Sequence, residues 1–357
     1  MKLRWTRRGR IRAGAVLAAA ALVVGVSACA SNDDDTDTGA GETTANADAF
    51  PVTLSGKFGD TTIETPPVRA LPLSPQDADI LLSLGVTPIA LPVDRQNLAA
   101  TDGTGVWPWE ATALDALGSD TPEQLNLDAG AGSIAEKLVA LEPDVIVSTG
   151  FWGLDQAAFD QLDPQVPVVH FDSKANGEPW QDSTRKVATA LGIPEKAEEV
   201  IAEATATAEA ATAANPDFAG KTYNAVIGDF GGGQLAVLAS DELGIGQFLS
   251  SLGLELSPFA GTLPVDQDGR GQLSYENIAE LDADVLVVVS PTGDLGYLTK
   301  FDAWNQLPAV QAGSVVSLAR NTGRPNAVGF PSALSLEWAT DQVVPEIADA
   351  VDKVSAN

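Results

Sequence analysis

Hydrophobic and polar positions follow two periods along this chain, and stretches of helical period lead repeatedly into short apolar runs between residues 77 and 318. Before them, residues 52–65 alternate with the period expected of a hairpin, with Gly59-Asp60 as its turn. A helix is predicted over 77–84, closed by Gly85, and then a strand over 87–91. A helix over 134–141 leads into a strand over 144–148, and 166–171 forms another strand. Residues 195–214 are rich in Ala, Glu and Lys and contain no Gly or Pro. Pro194 marks the entry and Asn215-Pro216 the exit, so one long helix is expected. The alternation then restarts, with strands over 223–227 and 235–238 and a helix near 245–252. The helical stretch 278–281 leads into a strand over 285–289, and a last strand covers 315–318. The pattern is that of an α/β fold in two lobes, 51–193 and 216–357, joined by a helix over 194–215.

The lobes share an internal pattern. Glu136, Leu141, Glu142 and Asp144, followed by the apolar run 145–147, fall on Glu276, Leu281, Asp282 and Asp284, followed by 285–287, at a constant offset of 140. Any amphipathic helix before a buried strand shares the aliphatic positions, but the acidic positions agree as well.

The first residues obey neither period. Lys2, Arg4, Arg7, Arg8, Arg10 and Arg12 form a basic segment, and residues 13–26 form an apolar stretch too short to span a bilayer stably. Val26-Ser27-Ala28-Cys29 then resembles the bacterial lipobox, which implies a signal peptide over 1–28 and lipidation of Cys29. Arg10 stands where a twin-arginine signal wants an apolar residue, so the general secretion route is favoured. Residues 29–50 read as a lipidated, disordered tether, since 30–49 hold no aliphatic residue larger than alanine. Cys29 is the only cysteine, which excludes disulfides. Without the signal the chain carries 14 basic and 49 acidic residues, a net −35, and nucleic acid is excluded as a partner.

Four segments carry a family resemblance: residues 136–148, the start of the long helix at Glu195-Lys196-Ala197-Glu198, 274–289 and 304–313. The most specific is Trp304-Asn305-Gln306-Leu307-Pro308-Ala309-Val310-Gln311-Ala312-Gly313. The chain resembles the class III, helical-backbone substrate-binding proteins of ABC importers for ferric siderophores, haem and cobalamin. The resemblance covers about residue 68 to the C-terminus. It implies two Rossmann-like lobes with a ligand cleft between them, little movement on binding, and no cofactor, the ligand being an iron(III)-siderophore complex. It also implies that Glu136 and Glu276 meet arginines of an ABC permease. As local structure, Ser133 with Glu136 reads as a capping box, and Glu276 as a first-turn carboxylate favoured by the helix dipole. A monomer is expected.

Ligands in α/β lobes sit beyond the carboxyl ends of strands. That rule selects Arg95, Phe151, Trp152, Phe230 beside the Gly231-Gly232-Gly233 run, Tyr297, Arg320 and Arg324. Trp107 and Trp109 lie in a Gly/Pro-interrupted loop that could reach the same rim. Indole faces and guanidinium donors suit the apolar surfaces and chelating oxygens of a ferric siderophore. Packing is the alternative role for each tryptophan, and ion pairing for each arginine. The glycine run lacks the Lys-Ser/Thr of a phosphate loop and reads as a tight turn. With one histidine, His170, and three tyrosines, the chain is poor in ligands for a free transition-metal ion. His170 sits in an apolar run and reads as structural, although His170 or Tyr297 could serve as an axial ligand were haem or cobalamin bound. An enzyme, such as a secreted lipoprotein hydrolase, is the reading from another class. No Gly-x-Ser-x-Gly elbow is present, although a carboxylate-pair mechanism stays open among 49 acidic residues. No catalytic residue is assigned. The scarcity of basic residues favours neutral or cationic hydroxamate complexes over anionic catecholate or citrate ones.

Overall fold

The β-branched runs Val145–Ser148 and Val285–Ser290 are buried along their whole length, and each lobe is built around one of them. In the computed structural model, residues 45–355 are described apart from Asp94, Asp128, Gly232, Leu243, Gln267 and Asp268. The expected signal peptide, Cys29 and most of the tether lie outside the described residues.

The chain opens with β1 (Val52–Gly56) and β2 (Gly59–Ile63). The first lobe continues as β3 (Ala70–Pro72), α1 (Pro75–Ser83), β4 (Ala90–Pro92), α2 (Pro108–Ala116) and β5 (Glu123–Leu125). It is completed by α3 (Ala135–Val139), β6 (Val145–Ser148), α4 (Gln156–Leu162) and β7 (Val168–His170). Two helices, α5 (Trp180–Leu191) and α6 (Pro194–Ala214), lead to the second lobe. That lobe comprises β8 (Thr222–Gly231), β9 (Gln234–Leu238), α7 (Ile245–Ser251), β10 (Glu255–Leu256), β11 (Arg270–Ser274) and β12 (Val285–Ser290). Three short helices follow, α8 (Gly296–Thr299), α9 (Asp302–Asn305) and α10 (Pro308–Ala312), then β13 (Val315–Ala319), α11 (Arg324–Gly329) and α12 (Ala333–Ser355).

In the first lobe β3, β6 and β7 form a parallel sheet, and β4 and β5 a second parallel pair. The second lobe orders its strands β11-β9-β8-β12-β13, with β8, β12 and β13 parallel and β9 antiparallel to β8. The glycine run joins β8 to β9, with Gly233 at φ 84°, so the expected tight turn connects the two expected strands as an antiparallel hairpin. The offset of 140 has a structural counterpart. Asp144 precedes β6, and its Oδ2 accepts the N–H groups of Val68 and Arg69 ahead of the paired β3. Asp284 precedes β12, and its Oδ2 accepts the N–H and hydroxyl of Thr222 at the start of the paired β8. Each aspartate fastens the entry of its central strand to its neighbour, where the paired strand's first amide would otherwise lack an acceptor.

The conspicuous Trp304-to-Gly313 segment encodes a corner. Trp304, Leu307 and Ala309 are buried in the second lobe's core, Pro308 starts α10, and Gly313 at φ 78° ends it before β13. One apolar core runs through both lobes. It contains Val145 and Val147 of β6, Val285 and Val287 of β12, Val200 of α6 and Ile347 of α12. Helix α12 packs on α6, α1 and α2 as well as on β12 and β13, so α6 is not alone in joining the lobes.

Several local expectations are corrected. The register Gly56↔Gly59 makes Lys57-Phe58 the hairpin turn, not Gly59-Asp60. Phe58 is drawn inward, stacked on His170 with ring centroids 5.4 Å apart, and that anchor sets the turn. Ser133 lies inside a 3-10 helix (Ala131–Ile134) and does not cap α3, whose N-cap is Ile134. The end of the expected tether is fastened: the Asn46 N–H donates to the Gly192 carbonyl at 2.9 Å, and Phe50 packs against the core. His170 is 2% exposed. Its Nε2 accepts the Phe58 N–H at 3.0 Å, so the proton sits on Nδ1, 3.0 Å from the Val168 carbonyl. Both ring nitrogens are engaged, which removes His170 as an axial ligand.

Burial pushes the His170 pKa below its ordinary 6.5. Below pH 6.5 the unfolded chain therefore binds more protons than the folded one, and stability present above that pH is lost as the pH falls toward the depressed value. His170→Gln, which can keep both hydrogen bonds, should abolish that component. Urea midpoints of the two proteins should converge as the pH is lowered through this window, and parallel profiles would contradict the assignment.

Candidate functional site

Helix α1 starts on a sequence that places carboxyls among aliphatic residues, Asp77-Ala78-Asp79-Ile80-Leu81-Leu82, and all six are buried. Ser74 caps the helix, accepting the Asp77 N–H at 3.1 Å and donating its hydroxyl to Asp77 Oδ2 at 2.6 Å. Asp77 Oδ1 accepts the N–H and hydroxyl of Thr149, both at 2.7 Å, and the Gly150 N–H at 3.1 Å. Burial pushes the Asp77 pKa up, and these donors oppose the shift. The loop leaving β6 is thereby clamped to α1.

Asp79 reaches a different partner set. Its two oxygens each lie 2.9 Å from Trp109 Nε1, and Oδ2 also accepts the Ser332 hydroxyl at 2.7 Å. Ser332 belongs to the segment between α11 and α12, where it exchanges capping hydrogen bonds with Ser335. One short helix therefore positions loops from both lobes.

Between these loops lies a small cavity of about 40 Å3, with Gln76, Thr149 and Asn176 from the first lobe and Gln247, Phe330 and Ser332 from the second among its lining. Glu178 and Trp180 contribute on the first-lobe side. Ligand sites for drug-sized molecules occupy roughly 300–1,000 Å3, so this cavity alone does not enclose a ligand of that size. A larger cavity of about 590 Å3 lies in the second lobe, against Thr222, Asp282, Asp284 and Val354. It sits at the amino ends of β8 and β12, and its Asp284 is occupied with Thr222. Ligands of open α/β sheets gather at the opposite, carboxyl ends, so the inter-lobe cavity is the better candidate.

Among the described residues, none of those selected by the strand-end rule is part of the inter-lobe cavity lining. Trp152, just past β6, is 53% exposed, and Phe151 beside it packs partly against the first lobe's core. Arg320 is exposed and donates to the Ile227 carbonyl at 3.3 Å. The 3-10 helix Arg95–Thr101 packs across the lobes against the one at Arg320–Thr322, bringing two selected segments together. The side chains of Arg95 and Phe230 lie outside the described residues. Tyr297 is half-buried against the second lobe's core.

Two of the selected residues have other work. Trp107 is 2% exposed and stacks on Trp109 with ring planes 3° apart, and Trp109 lies within α2, not in a loop. Trp109 in turn meets Trp338 of α12 at 5.2 Å. Trp107 thus packs the lobe junction, close against Gly323 of the second lobe. Arg324 pairs with Glu346 of α12 and donates to the Ser317 carbonyl at 3.3 Å, which holds α11 to its neighbours. Glu136 and Glu276 are both exposed in the first turns of their helices, and the Ser274 hydroxyl caps the second by accepting the Glu276 N–H at 3.1 Å. Strand-end reasoning missed Gln76, Asn176, Glu178, Phe330 and Ser332. Only the aspartates set in the aliphatic start of α1 were a visible signal.

Residues 73–322 match the family described as "Periplasmic binding protein". Among solved structures, PiaA from Streptococcus pneumoniae TIGR4 in complex with ferrichrome is similar at TM-score 0.72 and 21% identity, covering 84% of this chain and 99% of that one. A periplasmic solute binding protein from Mycobacterium smegmatis has TM-score 0.69 and 28% identity, covering 84% and 98%. FhuD2 from Staphylococcus aureus with bound ferrioxamine B has TM-score 0.60 and 17% identity, covering 80% and 100%. No curated protein sequence matches the chain. Among the described residues, no helix is long and apolar enough to cross a membrane.

Removing the Asp77 carboxyl would strand three buried donors on Thr149 and Gly150. Asp77→Ala should therefore cost roughly 2–4 kcal/mol in stability by denaturant unfolding, whereas an exposed carboxylate would cost under about 1.

Proposed function

The chain belongs to the periplasmic binding protein family, and from that premise we propose that it is a lipid-anchored, extracytoplasmic receptor that captures a ferric siderophore and delivers it to an ABC importer. The observation that carries this reading is exposed aromatic surface on both lobes, Trp152 just past β6 on one and Phe330, which lines the inter-lobe cavity, on the other, 53% and 36% exposed. It lies in a fold shared with ferrichrome-bound and ferrioxamine-bound proteins. Exposed aromatic faces suit the apolar periphery of such complexes, and Arg320 supplies a donor for their chelating oxygens. Iron here is cargo.

The reading is tested by titrating ferric hydroxamates, ferric catecholates, haem and cobalamin while following tryptophan fluorescence and melting temperature. A ferric hydroxamate should quench fluorescence and raise the melting temperature by mass action. Trp152→Ala should weaken that binding about tenfold or more while leaving ligand-free melting unchanged, because its ring is exposed. Binding of none of the ferric complexes would overturn the proposal, and selective binding of haem or cobalamin would redirect it.

Delivery is assigned to Glu136 and Glu276 as docking charges for permease arginines, and anchoring to Cys29. Reversing both charges (Glu136→Lys with Glu276→Lys) should preserve ligand affinity and cost at most about 1 kcal/mol each in stability. Uptake of the labelled ferric complex should collapse, because like charges would then face each other. Cys29→Ser should release a folded protein from the membrane fraction. Normal uptake by the double variant, or retention of the Ser variant after signal cleavage, would remove the respective assignment.

A further inference from the structure

Two carboxyls stand behind the inter-lobe cavity with no cation beside them among the described residues. Asp79 on α1 and Glu110 on α2 are 2% and 1% exposed. Glu110 Oε2 accepts the Trp107 N–H at 2.8 Å, while Oε1 is buried without a hydrogen-bond partner. A buried oxygen left in that position is tolerable on a neutral acid and costly on a carboxylate. The elements around the pair supply no neutralising charge among the described residues. Arg324 of α11 pairs with Glu346, Arg185 of α5 with Glu198 and Asp182, and Lys186 of α5 with Asp172. Glu337 and Asp341 of α12 and Asp115 of α2 are exposed, and Asp77 on α1 adds negative charge. Burial, with repulsion from Asp79, pushes Glu110 well above its ordinary value, and burial pushes Asp79 up to about 7.

Asp79 also holds the second-lobe wall of the cavity. Its bond to the Ser332 hydroxyl joins residues 253 positions apart, and Ser332, Phe330 and Gly329 all line the cavity that is too small for a ligand. The continuous core through both lobes opposes a wide hinge motion, which leaves the short segment around Phe330–Ser332 as the part able to shift.

We propose that Asp79, with Glu110 held neutral beside it, is a proton-operated catch on the Phe330–Ser332 segment: proton-bound it keeps the cavity shut, and proton loss favours an open, ligand-accepting form. The reason is linkage. Opening admits water to Asp79 and returns its pKa toward the ordinary 3.8, so the shut form binds the proton more tightly and is the form favoured at low pH. Raising the pH through about 7 therefore favours opening. Asp79 is a positioning residue, acting on the ligand through Ser332 and Phe330. Only the ligand arm of the test rests on the binding function proposed above.

The test follows the Trp109 indole N–H resonance in 15N-labelled protein, and acrylamide quenching of tryptophan, without ligand from about pH 6 to about pH 8.5. Wild type should show one transition near neutrality, with quenching rising at higher pH. Asp79→Asn keeps an acceptor for Trp109 but cannot ionise, and should show a flat profile. Ser332→Ala, which loses a donor that stabilises the Asp79 carboxylate, should move the transition to higher pH, and it decides the matter should the Asn variant fail to fold. A wild-type profile without a transition, a transition that persists in Asp79→Asn, or one unmoved in Ser332→Ala would overturn the catch. In the second arm, ferrichrome should bind roughly threefold or more tightly at about pH 8 than at about pH 6, and equally at both in Asp79→Asn. Ferrichrome failing to bind at either pH would count against the binding function alone, since the ligand-free profile decides on the catch.

Discussion

Two carboxyl groups on one short helix have to enter the dry interior for this chain to fold, and the arrangement of the cleft follows from how each is satisfied. A buried carboxyl is tolerated only where donors converge on it, so its position dictates the position of those donors. Asp77 gathers Ser74, Thr149 and Gly150, which fixes the loop leading to Phe151 and Trp152. Asp79 gathers Trp109 and Ser332, which fixes α2 on one side and the Phe330 segment of the opposite lobe on the other. The two walls are thus registered against a common helix and not merely against each other.

The same junction explains why the lobes form one body. Trp107 stacks on Trp109, which meets Trp338 of α12 at a 54° tilt, and Gly323 approaches Trp107 so closely that a Cβ there would lie 3.3 Å from its ring. Helix α12, with α6 against it, extends the apolar core across the boundary. Parting the lobes widely would expose that core to water, at about 25 cal/mol for each Å2 of apolar surface. Adjustments confined to short loop segments avoid that cost.

How much of this was legible in the sequence differs between fold and site. The strands at 145–148 and 285–290 and the helix at 194–214 follow from periodicity and from Gly and Pro punctuation, because those signals are local. The misread details are those decided at long range: the hairpin turn is set by Phe58 seating on His170, and Trp107 is buried by a glycine 216 positions away at Gly323. The cavity illustrates the difficulty more sharply. The strand-end rule examines one lobe at a time, whereas Gln76, Trp180, Gln247 and Phe330 come from helix ends that only the packing of the two lobes brings together. A sequence signal did exist at Asp77 and Asp79, acidic residues inside an aliphatic helix, but without coordinates it does not say which donors they meet.

Charge imposes a further constraint on what the cleft can hold. Of the arginines after residue 28, Arg69 is bound to the carbonyls of Leu141 and Glu142, Arg185 to Glu198, Arg270 to Asp266 and Arg324 to Glu346. Arg320 is bonded to a carbonyl at 3.3 Å and otherwise turned to solvent, so it keeps donors for a ligand. On the inter-lobe cavity itself the charged side chain is Glu178, whose Oε1 accepts the N–H and hydroxyl of Ser173. A strongly anionic ligand would bring its charge against Glu178 with little guanidinium among the described residues to offset it, in a chain whose residues from 29 onward carry −35. Among the described residues, desolvating several like charges costs more than the exposed Arg320 guanidinium returns, so a strongly anionic ligand is disfavoured there.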